Sequence, residues 1–208
     1  AAAMQAIGPV RREVMPDLFQ ALMHAITGQQ ISMAAQRTVW GRLCGLLGEV
    51  TPQALLAQPQ TALQALGLSA RKVDYMRGIA RQVVDGELDL PGMAALEDAE
   101  VCRRLAALRG IGVWTAEMLL LFSLQRPDIL SYDDLAIRRG LRMLYRHKEM
   151  PRERFERYRR RFSPYGSLAS LYLWAIAGGA LPELDDPAER KKGGSRPAAS
   201  LKSTVTKD

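Results

Sequence analysis

The stretch Leu108-Arg109-Gly110-Ile111-Gly112-Val113-Trp114-Thr115-Ala116 decides how this chain is read. Gly110 and Gly112 alternate in an otherwise apolar, helix-forming context, so a sharp turn is expected there, with the backbone at positive φ or closely approached by another chain. Apolar spacing predicts a helix from about Glu97 to Ala107 before the turn and another from Ala116 to Phe122 after it. Two helices joined in this way leave backbone N–H groups unpaired at the start of the second. Such groups bind anions, phosphate among them.

Working outward toward the C-terminus, a connector containing Pro127 leads to Tyr132-Asp133-Asp134-Leu135-Ala136-Ile137-Arg138-Arg139. Two acids before an amphipathic run are favoured there as an N-cap and a first-turn charge. From Arg138 to Arg161 there are ten Arg and one Lys against three Glu, a net +8, whereas the whole chain carries +7. The basicity is therefore local. A solvated helix face with pairs such as Glu153–Arg157 and Glu156–Arg160 would account for part of it. The local, Arg-dominated excess also points to an anionic polymer as partner. Ser167-Leu168-Ala169-Ser170-Leu171-Tyr172-Leu173-Trp174, running on to Ala177, reads as an apolar helix, and a tryptophan there is by default part of the core.

Toward the N-terminus, helices are expected after Pro16-Asp17, after Ser32, after Thr51-Pro52 and after Ser69, with Ser or Thr as the cap in the last three. Gly28-Gln29-Gln30-Ile31-Ser32 places two polar amides in an exposed turn between apolar helices. Residues 1 to 15 show little pattern and read as a variable lead-in. Beyond Pro182 the composition turns to Pro, Gly, Ser, Lys and acids, so residues 1–182 are expected as one domain and 183–208 as a flexible tail.

Composition excludes several classes. Two cysteines, Cys44 and Cys102, are too few for a disulfide framework or a four-cysteine cluster and read as thiols in a reducing compartment. No apolar run approaches the ~20 residues of a membrane helix, and no signal-peptide pattern opens the chain. There is no zinc spacing, P-loop or dinucleotide fingerprint, and the two histidines, His24 and His147, are far apart.

The nonapeptide resembles the L-P-G-[IV]-G-x-x-T-A hairpin of the helix-hairpin-helix superfamily of base-excision DNA glycosylases, with Arg109 in place of the proline. Where bifunctional members carry a catalytic lysine this chain has Trp114, which makes it similar to the monofunctional alkylation-repair branch, that of 3-methyladenine DNA glycosylase II. The resemblance covers roughly residues 17 to 180. It implies an all-α, two-lobed fold with a central cleft and hydrolytic release of alkylated purines, 3-methyladenine and 7-methylguanine among them, from duplex DNA by base flipping. It implies Asp134 as the catalytic carboxylate; Trp114, Trp174, Tyr132 and Asp133 around the base; and Gly110, Gly112, Thr115, Arg138 and Arg139 on the DNA backbone. Gln30 would be the plug that fills the space left by the flipped nucleotide. No cofactor is implied beyond a structural Na⁺ or K⁺ on the backbone carbonyls of Ala106, Leu108 and Ile111. The protein is expected to be a cytoplasmic, nucleoid-associated monomer. Two other readings remain open: a non-catalytic helix-hairpin-helix DNA-binding protein, which has no need of Asp134, and a bifunctional glycosylase/lyase for oxidised bases, which Trp114 disfavours.

Overall fold

A computed structural model describes residues 2–189 of the chain, and among these there is no strand. The helices are α1 (Ala2–Ile7), α2 (Leu18–Gly28), α3 (Met33–Leu47), α4 (Pro52–Ala57), α5 (Gln60–Ala65), α6 (Ala70–Val84), α7 (Asp98–Ala106), α8 (Val113–Phe122), α9 (Leu135–Tyr145), α10 (Arg152–Phe162) and α11 (Gly166–Ala177). Ser32, Thr51 and Ser69 cap α3, α4 and α6 by accepting the third amide onward, and Asp17 does the same for α2. Each cap satisfies an amide that the helix itself cannot.

The apolar residues sort into two main cores. Leu22, Met23, Ile26, Leu55, Met76, Ile79, Leu105 and Leu120 are among those that fill the larger one, to which α2 through α8 contribute. Leu130, Ile137, Leu141, Phe155 and Leu173 fill the smaller, around α9, α10 and α11. Trp174 packs against both and stacks on Phe122 with ring centroids 5.6 Å apart. The two lobes thus share a wall. α9 and α11 cross closely at Gly140, where a Cβ would lie 2.4 Å from the Leu173 carbonyl oxygen, so only glycine permits the approach.

Both ends of the described chain depart from the reading above. The lead-in contains α1, which packs on α11, and Tyr172 Oη donates to the Gly8 carbonyl at 3.0 Å. The segment 183–189, expected as the start of a flexible tail, lies against α9. Leu184 packs on a small apolar cluster, and Asp186 has a fully buried carboxylate held by Arg142 and, at 3.7 Å, by Arg139. Polar composition concealed a segment anchored by charge rather than by apolar burial. The remainder of the expected tail, 190–208, lies outside the described residues. On α10 the pairs Glu153–Arg157 and Glu156–Arg160 do not form; Glu156 faces Arg152 instead at 3.9 Å.

Candidate active site

The hairpin is built as its glycines require. Gly110 has φ +91°, and a Cβ on it would meet the Tyr75 ring at 2.3 Å, so this position needs glycine for both its conformation and its space. Gly112 is different. Its backbone is extended at φ −92°, it precedes α8 as the N-cap, and nothing lies within 4 Å of where a Cβ would be. That open space beside unpaired amides suits the close approach of an outside group.

The hairpin is tied to the α2–α3 turn. Gln29 Nε2 donates to the Gly110 carbonyl at 2.7 Å, and the Arg109 guanidinium lies 5.6 Å from the centre of the Tyr75 ring. Gln30, beside it, is exposed and sits in the left-handed region at φ +57°. A non-glycine residue held there stores strain, a feature common at functional turns. Gln29, Gln30, Lys72, Tyr75, Gly110, Trp114, Thr115 and Met118 are among the residues that line a concavity of about 680 Å³. Lys72 Nζ donates to the Thr27 carbonyl at 2.9 Å, and burial lowers its pKa from the ordinary lysine value.

Asp134 joins this concavity through one contact. It caps α9, Oδ1 accepting the Ile137 amide at 2.8 Å, while Oδ2 accepts the Trp114 indole N–H at 3.0 Å. Asp134 is 7% exposed, whereas Trp114 is 45% exposed, so the acid is fixed in place and the indole presents itself to solvent. The connector ahead of it is also pinned. Asp128 accepts from Ser163 Oγ and the Gly166 amide, Ser167 Oγ accepts the Ile129 amide, and Ser170 Oγ donates to the Ile129 carbonyl. The N-cap reading of Asp134 and its expected position near the hairpin are thus both correct, because one carboxylate has two oxygens.

Comparison with known proteins agrees with this geometry. Residues 23–164 match the family described as "HhH-GPD superfamily base excision DNA repair protein". The chain belongs to the HhH-GPD superfamily. Within that superfamily it is 31% identical over 189 residues to DNA-3-methyladenine glycosylase 1 of Schizosaccharomyces pombe, across 88% of this chain and 82% of that protein. It is 30% identical to DNA-3-methyladenine glycosylase 2 of Escherichia coli, across 78% of this chain but only 58% of the longer relative. The crystal structure of a DNA-3-methyladenine glycosidase from Bacillus halodurans superposes with a TM-score of 0.79 at 35% identity, covering 88% of this chain and 85% of that one. The S. pombe 3-methyladenine DNA glycosylase in complex with abasic DNA gives 0.71 at 30% identity, covering 84% and 88%.

Of the residues expected around the base in this HhH-GPD chain, the structure joins Trp114 to Asp134 and leaves Asp133 exposed beside them. Trp174 is half-buried with Phe122 stacked on it, in keeping with the core role its helix suggests by default. Tyr132 is drawn away: its ring meets Phe155 edge-on at 5.2 Å and has the guanidinium groups of Arg138 and Arg152 against it. A ring so covered is a poor surface for a base. Arg139 is likewise occupied, by Asp186 and by Glu189 at 3.2 Å, so its charge is largely answered within the protein. Gly110 and Thr115 border the concavity, while Arg138 does not.

Gln29, Tyr75 and Glu117 join the site without a signal in the sequence. The first two act through partners 81 and 35 positions along the chain, which no local pattern signals. Glu117 faces a second recess, of about 360 Å³, together with Cys102, Val113 and Arg159. Its Oε2 is buried without a partner. Burial chiefly, with Asp133 adding, raises its pKa, against the lowering influence of Ser131, Arg159 and Arg152. Glu117 lines this recess and not the concavity that Trp114, Thr115 and Met118 border.

Proposed function

We propose that this chain hydrolyses the N-glycosidic bond of alkylated purines, such as 3-methyladenine and 7-methylguanine, in duplex DNA, with Asp134 as the catalytic carboxylate. The observation that carries the reading is the contact between Trp114 Nε1 and Asp134 Oδ2 at 3.0 Å. It holds one buried acid beside an exposed electron-rich ring, at the mouth of a hairpin suited to phosphate. The names of the relatives support the same substrate class.

The base leaves with the electron pair of the C1′–N bond, and positive charge develops on the deoxyribose. A fixed carboxylate beside C1′ stabilises that charge and orients the water that bonds to C1′ and releases a proton. For charges ~4 Å apart at an effective dielectric near 20, the attraction is on the order of 4 kcal/mol, roughly a thousandfold in rate. That suffices for a good leaving group, since N3- and N7-alkylated purines already carry positive charge and need no acid to depart. The exposed face of Trp114 would favour such a cation by ~0.5–2 kcal/mol. The nucleotide must leave the stack for C1′ to reach Asp134, and weakly stacked lesions leave more readily. Gln30, strained and exposed, is our candidate for the residue that takes its place.

No lysine stands on the hairpin to form a Schiff base, and the amine of Lys72 is bound to a carbonyl, so the proposed product is abasic DNA without strand cleavage. The chemistry needs no cofactor. The hairpin carbonyls of Ala106, Leu108 and Ile111 remain candidates for a structural Na⁺ or K⁺, although Leu108 O already accepts the Ile111 amide at 3.0 Å. We also propose that the protein acts as a monomer in the cytoplasm, at the nucleoid; among the described residues no helix is long and apolar enough to cross a membrane.

The test is base release from methylated duplex DNA by the wild type and Asp134→Asn, with strands analysed before and after alkali. Release of 3-methyladenine by the wild type alone, with breaks only after alkali, supports the proposal. Borohydride trapping of a protein–DNA adduct would show a lyase instead.

A further inference from the structure

Tyr132 lies two residues before Asp134, and its ring carries two cations. The guanidinium carbon of Arg138, from α9, is 4.9 Å from the ring centre, and that of Arg152, the first residue of α10, is 5.0 Å from it. Two like charges gathered on one small ring repel each other unless an anion answers them. Among the described residues no carboxylate comes within 4 Å of Arg138, and its Nε–H is buried with no acceptor. Arg152 faces Glu156 at 3.9 Å, its charge also reaches Glu117, and its side chain is 69% exposed. Asp133 is exposed, and burial raises the pKa of Glu117 above the ordinary glutamate value. Arg159, on the same stripe of α10 as Arg152, adds to the positive field that Glu117 feels.

We propose that Arg138 and Arg152, oriented by the Tyr132 ring, form a clamp for one DNA phosphodiester beside the Asp134 loop. A guanidinium held over a ring still has its outer N–H groups to offer to two phosphate oxygens, and the contact restricts the side chain before the phosphate arrives. The placement selects a phosphodiester of the substrate strand over a free anion. This rests on the proposed function: if Asp134 faces C1′ of the flipped nucleotide, the phosphates flanking that sugar must pass close to residues 132 to 138. The hairpin amides would grip the strand at one point and the clamp at another, so that the sugar is held from two sides.

The experiment is a salt titration of duplex binding, using a short duplex with one abasic site as probe, for the wild type, Arg152→Gln, Arg152→Lys, Tyr132→Phe and Arg157→Gln. Each phosphate contact contributes about 0.9 to the slope of log affinity against log salt. Arg152→Gln is expected to weaken binding by roughly tenfold near 0.1 M salt and to lower that slope by about one contact's worth. Tyr132→Phe keeps the ring and should match the wild type, and Arg152→Lys should keep the slope while losing part of the affinity. Arg157→Gln removes an equal charge elsewhere on α10 and sets the effect of charge alone. If Arg152→Gln and Arg157→Gln give the same slope and affinity while the wild type still releases methylated bases, the clamp is wrong and the proposed function stands. A wild type that neither binds the duplex nor releases bases overturns both.

Discussion

The indole N–H of Trp114 reaches from the first turn of α8 to Oδ2 of Asp134, the cap of α9, and joins the hairpin to the smaller lobe. The same carboxylate closes the end of α9 through Oδ1. Its two oxygens therefore do separable work, one structural and one facing the site. Asp134→Asn retains an acceptor for the cap but loses the charge. Base release should fall by about a hundredfold to a thousandfold; Asn keeps the cap but sets its amide N–H against the Trp114 indole N–H, and Asp134→Ala should cost about 1 kcal/mol more stability than Asp134→Asn through the lost cap. Parallel rate and unfolding measurements on both variants check this; equal stability losses would show that the cap is not what Oδ1 supplies.

The two hairpin glycines should behave oppositely. Gly110→Ala forces a Cβ into the Tyr75 ring at a positive φ and is expected to destabilise the fold by about 1–3 kcal/mol. Gly112→Ala meets nothing within the protein and should leave denaturation within about 0.5 kcal/mol of wild type while weakening DNA binding. A Gly112→Ala variant that bound DNA normally would remove the hairpin amides from the interface.

Asp186 makes stability depend on acid. The Arg142 guanidinium bonded to it holds its carboxyl below the usual carboxylate range, with burial opposing and the Ala188 amide and Arg139 assisting. The folded state therefore binds this proton less readily than the unfolded chain does. The stabilisation is fully present above the unfolded carboxylate value, near 3.9, and is lost as pH falls through the lower folded value. Asp186→Asn should lower stability at neutral pH and flatten the acid limb of the profile below about pH 4. Urea unfolding at pH 7 and pH 3 distinguishes this from simple loss of packing, which would shift both equally.

Glu117 has the opposite sign. Burial raises its pKa, so the folded state holds the proton more tightly than the unfolded chain, and stability is greatest below the unfolded glutamate value, near 4.3. It declines as pH rises through the folded value. Glu117→Gln should therefore raise the midpoint of thermal unfolding at neutral pH, with the gain shrinking toward acid. A gain that is the same at pH 4 and pH 8 would mean that the buried carboxyl is not the cause.

Legibility followed the range of the interaction. The Ser32, Thr51 and Ser69 caps and the helices that follow them were readable because a cap bonds three residues on and a helix repeats every 3.6. α8 begins at Val113 rather than Ala116, a smaller difference of the same local kind. Only resemblance in spacing to a known hairpin singles out Asp134 as the proposed catalytic acid, since as an isolated acid before a helix it is indistinguishable from an ordinary cap. Tyr132, read as a neighbour of the base, is instead held by Phe155, Arg138 and Arg152, the last of them 20 residues away on another helix.

What the sequence by itself determined is the helical register, the capped starts, the glycine turn of the hairpin and the placement of positive charge after Asp134, all of them properties of residues near one another in the chain. Only the tertiary structure decided that Gln29 braces Gly110 and that Tyr75 fills the space a Cβ at position 110 would need. It likewise decided that Arg139 and Arg142 are answered by an acidic segment from beyond α11, whereas Arg138 lies over the Tyr132 ring with no carboxylate within 4 Å among the described residues. Charge counted along a chain cannot tell a neutralised arginine from a free one. The difference lies in which side chains packing brings within a few ångströms of each other, and that depends on every helix at once.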